Sequence, residues 1–78
     1  MENRVVELDV RPQLRQGAEP LGIIMSTVKQ LKGGEIFVLH ATLKPVPLLK
    51  LMELRGYRNQ CEQVAEEHWK VTFERKSK

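Results

Sequence analysis

Few side chains in this 78-residue sequence can do chemistry: a single cysteine, Cys61, and two histidines, His40 and His68, are its only soft ligands. A cysteine nucleophile needs a stabilised thiolate, which a helix N-terminus or a neighbouring cation supplies. Cys61 has Gln60 and Glu62 as neighbours on a predicted strand, and the adjacent carboxylate works against a thiolate. A packing role is expected for it, with a redox role as the alternative. A metal centre takes three or four convergent ligands. The sequence has no His-x-x-x-His or Cys-x-x-Cys pair, and Asp9 and Glu19 would have to complete any set. Neither a metal nor a cofactor is expected, and His40 reads as a strand-end residue with an ordinary hydrogen bond.

A second group of polar residues surrounds the end of the first predicted strand. Asp9 and Arg11 straddle that end, and the simple reading is an ion pair or a loop tie in which Asp9 accepts backbone N–H groups. The sharper reading has Asp9, Arg11, Arg15 and Glu19 rimming a pocket for an anion at a helix N-terminus. The second helix poses a similar question, because Val46 before Pro47 is a poor side-chain cap, and Thr42, His40 or a ligand would have to meet its first N–H groups. There is no paired-carboxylate motif, no nucleophile with a base at recognisable spacing and no glycine-rich phosphate loop. The chain is not expected to be an enzyme.

The elements that position these residues are short and alternate. Val5 to Val10 places Val6, Leu8 and Val10 on one face and Glu7 and Asp9 on the other, a half-buried strand. Arg11 to Ala18 reads as a polar connection. Pro20 suits the first turn of a helix, and Leu21, Ile24, Met25, Val28 and Leu31 keep helical spacing up to a stop at Gly33 and Gly34. The first helix is thus predicted from Pro20 to Lys32. Glu35 to His40 is apolar on both faces, as a central strand is. Pro47 opens a second helix with Leu48, Leu51 and Met52 as its inner stripe, Leu49 and Leu54 flanking it and Gly56 as its cap. Tyr57 to Val64 is a more polar strand, Ala65 to Glu67 a turn, and the last strand alternates cleanly, with Trp69, Val71 and Phe73 on one face.

Two strand-helix units and a hairpin give an α+β fold in one domain over residues 1–78. It is a two-layer α/β sandwich of order βαβαββ, with a four-stranded mixed sheet and both helices on one face. The core would hold Val6, Leu8, Ile24, Val28, Leu31, part of Ile36 to Leu39, Leu48, Leu51 and Met52. The other sheet face is left uncovered, and Phe37 or Trp69 pointing there would make an apolar patch for a protein partner or a homodimer. The apolar excess on the second helix, from Leu48 to Leu54, offers another docking surface, with Lys44 and Lys50 at its edge.

With 41% apolar and 29% charged residues the composition is globular. The longest uncharged apolar runs, Pro20 to Val28 and Pro45 to Leu49, fall far short of the roughly 20 residues a bilayer needs. No signal-like start is present, so a soluble, cytoplasmic protein is expected. Thirteen basic and ten acidic residues leave a net charge of +3. The surplus lies wholly in residues 69–78, the last of them, about 75–78, read as a flexible basic tail. Nucleic-acid binding through Lys76 and Lys78 is a minor alternative.

Leu8-Asp9-Val10-Arg11, Glu19-Pro20-Leu21, Leu31-Lys32-Gly33-Gly34-Glu35, Pro45-Val46-Pro47-Leu48, Arg55-Gly56-Tyr57 and Trp69-Lys70-Val71 appear in that order. In order and spacing they resemble the DUF2249 family of bacterial proteins, related to the SirA and TusA sulfur carriers. The resemblance spans almost the whole chain and implies the same βαβαββ fold. The carriers' Cys-Pro-x-Pro motif falls on Gly17-Ala18-Glu19-Pro20, so the sulfur-bearing position is Gly17 here. Where members of the family often show Asp-His-Asp-Pro, this chain has Thr42-Leu43-Lys44-Pro45. The resemblance therefore implies a non-catalytic binding or accessory module, its surface drawn from Asp9, Arg11, Glu19, Pro20, Pro45, Pro47 and Leu48. Sulfur relay through Cys61 is the alternative.

Overall fold

The alternation in the first residues does produce a strand, β1 (Val5–Asp9), with Val6 and Leu8 turned inward. The computed structural model describes residues 4–76. Val10, expected to end the strand, is buried and still donates its N–H to the His40 carbonyl at 3.0 Å, but its own carbonyl accepts the Leu14 N–H at 3.0 Å. It therefore starts a short helix, α1 (Arg11–Arg15), where a polar connection was expected. Pro12 does not oppose this turn, because a first-turn residue has no N–H to contribute to the helix.

Pro20 stands just before α2 (Leu21–Lys29), with its carbonyl accepting the Ile24 N–H at 3.0 Å. The helix ends three residues earlier than the apolar spacing suggests. Gln30 and Leu31 turn their N–H groups to the Thr27 and Val28 carbonyls, the tighter i to i−3 pattern that closes a helix. Strand β2 (Ile36–Ala41) follows and helix α3 (Val46–Leu54) comes next, opening on Pro45 and Pro47 without a side-chain cap. Its inward residues are Leu48, Leu49 and Met52, while Leu51, expected inside, is half-buried and Leu54 is 86% exposed. Gly56 at φ 92° makes the left-handed turn into β3 (Tyr57–Ala65), and a turn at Glu66 and Glu67 leads to β4 (His68–Arg75).

The sheet is four-stranded and mixed, in the order β1-β2-β4-β3, with β1 parallel to β2 and the other pairs antiparallel. Register puts Val6 and Leu8 beside Phe37 and Leu39, and Phe37, Leu39 and Ala41 beside Phe73, Val71 and Trp69. These residues share the face on which Ile24, Val28, Leu48, Leu49 and Met52 pack. Phe37 and Phe73 stack at the centre, ring centroids 5.7 Å apart and both fully buried. Both longer helices thus cover one face, as expected for an α+β two-layer domain.

The uncovered face does not carry the apolar patch that Phe37 or Trp69 could have made, since register turns both toward the helices. Two rows cross it instead. One runs Asp9, His40, Lys70, Glu62 and the other Glu7, Val38, Thr72, Gln60. Val38 stays buried there, between Glu7 and Thr72. The sheet also claims part of the predicted tail: Arg75 ends β4 with its guanidinium 5.5 Å from the Tyr57 ring centre, and the Lys76 N–H donates to the Gly56 carbonyl at 2.8 Å. Residues 77–78 lie outside the described residues.

Candidate functional site

Because β1 and β2 are parallel and each is followed by a helix, α2 and α3 begin at the same end of the sheet, outside the strands' carboxyl ends. Open α/β sheets place their ligand crevices at that end. Here the start of the two helices and the side of α1 border an open groove of about 300 Å³. Glu19, Pro20, Pro45, Pro47 and Leu48, singled out from the sequence, line it together. Leu14, Leu21 and Ile24, which the sequence reading did not place in a site, supply the rest. Leu21 stands 41% exposed, and Val46 and Leu43 are exposed as well.

Two prolines at the start of α3 keep this wall stiff, since each has its φ fixed by the ring. The single acidic group in the groove, Glu19, is partly occupied: its Oε1 accepts the Leu21 N–H at 2.8 Å and so covers one of the first donors of α2. A carboxylate at that position disfavours an anion there. The groove is shaped for apolar groups, with one negative charge at its edge.

Asp9 and Arg11 do not line the groove. Arg11 donates from Nε to Asp9 Oδ1 at 2.9 Å and from Nη2 to Oδ2 at 2.7 Å, and its backbone N–H also reaches Oδ1 at 3.0 Å. This fork-to-fork pair is the simple reading of the two residues. The Arg11 hydrogen bond is the chief reason the Asp9 carboxyl is lowered from 3.8 to about 2. Cys61 sits in the middle of β3, opposite Val71, half-buried against the core cluster. It is on a strand, far in sequence from any helix start, and its surroundings are those of a packed thiol.

The two histidines meet. His40 Nδ1 and His68 Nε2 lie 3.0 Å apart on the uncovered face, and His40 Nε2 is 3.5 Å from Glu7 Oε1. Their rings are tilted by 50°, and the His40 side chain is 18% exposed. Burial, followed by the positive charges of Arg11 and His40, holds His68 below the usual histidine range. Sequence spacing hid this pairing, because 28 residues separate the two rings. The available signal was parity: in an antiparallel β2-β4 pair, a strand-ending His40 and a strand-opening His68 fall at the same sheet end. His40 is thus engaged with His68 and does not cap α3, which has no side-chain cap at all.

Among the described residues no group of three or more His, Cys, Asp or Glu side chains is placed to hold a metal ion. No described helix is long and apolar enough to cross a membrane. A family model described as "Uncharacterized conserved protein (DUF2249)" matches residues 7–75. No curated protein and no solved structure matches the chain.

Proposed function

Since the chain belongs to the DUF2249 family across residues 7–75, we propose that it works as a non-catalytic binding module whose ligand is a segment of a protein partner. The observation that carries this reading is the groove between the starts of α2 and α3, an apolar hollow of about 300 Å³ with Glu19 at its edge. A volume of that size takes one or two apolar side chains, and small-molecule and peptide anchors sit in hollows at the low end of this range. Glu19 favours a lysine or arginine beside the anchor. Val46, exposed between the groove-lining Pro45 and Pro47, extends the apolar surface outside the groove, as the exposed margin of a docking site does. An accessory role in a bacterial cytoplasm and a relation to the SirA and TusA carriers belong to the same reading.

Selection of displayed peptides on the folded chain, followed by mapping of the enriched peptides by amide chemical shifts, tests it. Enriched sequences are expected to pair an apolar anchor with a basic residue and to shift the amides of Leu21, Ile24 and Leu48. Leu21→Lys should weaken them at least tenfold and Glu19→Gln several-fold. Peptides that bind with equal strength to Leu21→Lys, or an absence of enrichment, would overturn the proposal. Incubation with a cysteine desulfurase and intact-mass measurement addresses sulfur relay: a one-sulfur adduct that disappears in Cys61→Ser would put the carrier reading first.

A further inference from the structure

On the face of the sheet opposite the groove, and independently of it, we propose that His40 Nδ1 and His68 Nε2 form a two-imidazole chelate for a late first-row divalent ion, Cu²⁺ above all. These are the only histidines of the chain, and the fold brings one ring nitrogen of each to 3.0 Å. With metal-nitrogen bonds of about 2.05 Å, that separation spans an angle of about 94° at the metal. Neighbouring positions of a square-planar or tetragonal ion subtend 90°, the preference of Cu²⁺ and Ni²⁺, whereas a tetrahedral ion would require the nitrogens to part by about 0.3 Å.

Glu7, with its side chain largely exposed, stands behind the His40 ring. Its carboxylate, 3.5 Å from His40 Nε2, favours the tautomer with hydrogen on Nε2 and leaves the Nδ1 lone pair facing His68. A carboxylate behind a ligating imidazole is the usual support of a metal-bound histidine. In that tautomer of His40, and without an ion, the 3.0 Å contact is a hydrogen bond in which His68 Nε2–H donates to His40 Nδ1. On binding, that hydrogen is carried by Nδ1 of His68, so the tautomer changes and no net proton is released. Asp9 is held by both of its oxygens on Arg11 and is not a ligand. The cations Arg11, Arg15 and Lys70 and the carboxylates Glu7, Asp9 and Glu62 place charges of both signs around the pair. Two protein ligands with water in the remaining positions imply micromolar rather than tighter affinity.

Titration of the full chain with Cu²⁺, read by calorimetry and by electron paramagnetic resonance, tests this. One ion per chain is expected, with hyperfine splitting from two equivalent-type nitrogens. Paramagnetic broadening should centre on the amides around His40 and His68. Glu7→Gln should weaken binding about tenfold, and His40→Asn or His68→Asn by more than tenfold. Should either histidine variant fail to fold, the broadening pattern of the unaltered chain still decides. Broadening centred elsewhere, an affinity no better than millimolar, or binding unchanged in the double variant would overturn the site.

Discussion

Asp9 and Arg11 show how much a surface pair can do. Folding lowers the Asp9 carboxyl from 3.8 to about 2, chiefly through the Arg11 hydrogen bond, so the folded state favours the carboxylate. The pair's contribution is complete above about pH 4 and is lost as pH falls through 2. The Asp9 side chain is 41% exposed, so solvent screening holds that contribution below about 1 kcal/mol. Urea midpoints of the chain and of Asp9→Asn should differ at pH 6 and converge near pH 2. His68 acts in the same pH direction, in a window nearer neutral. Its value is lowered by burial, so below pH 6.5 the unfolded chain takes up a proton more readily and stability falls with pH. Ring resonances of His68, followed in chelator-treated buffer, should show a midpoint below 6.5, and His68→Gln should flatten the loss of stability between pH 7 and 5.

Turns and helix faces carry the next set of consequences. Glu67 adopts φ 61° without being glycine, which places a side chain in the left-handed region. Glu67→Gly or Glu67→Asn should raise stability by about 0.5–1 kcal/mol in thermal unfolding. Gly56, at φ 92°, has open space around it, so Gly56→Ala meets no clash and its cost is backbone strain, about 1 kcal/mol or more. The same scale shows what sequence could reveal. Alternation in β4 put Trp69, Val71 and Phe73 on one face, but only the register with β2 shows that this face is the one the helices cover. In α3 the apolar residues at 48, 49, 51, 52 and 54 allow two inward stripes with helical spacing, and packing chose Leu49 over Leu51. One turn of helix at Arg11–Arg15 is too short to show a period. The groove was half legible: the prolines and Glu19 marked helix starts, but only the parallel β1-β2 pairing says that the two starts adjoin. The histidine pair needed the β2-β4 register, which no local pattern holds.

The whole molecule depends on one layer of side chains. A domain of this length has about 4–12 kcal/mol of stability, and Phe37 and Phe73 form the stacked centre of its core. Phe37→Ala should cost about 3–5 kcal/mol, a large share of that total, seen as a marked drop of the unfolding midpoint in a calorimetric scan. Both aromatic rings lie where the sheet order places β4 between β2 and β3. The strand that comes last in chain order is thus an interior strand, and it supplies the antiparallel partner of both neighbours. During translation, β2 and β3 leave the ribosome with no neighbour on their β4 side, and Phe37 stays without Phe73 until β4 has emerged. The domain cannot close as it is made. Closure of the sheet waits for β4, and until that strand arrives the apolar surface around Phe37 is open to other chains.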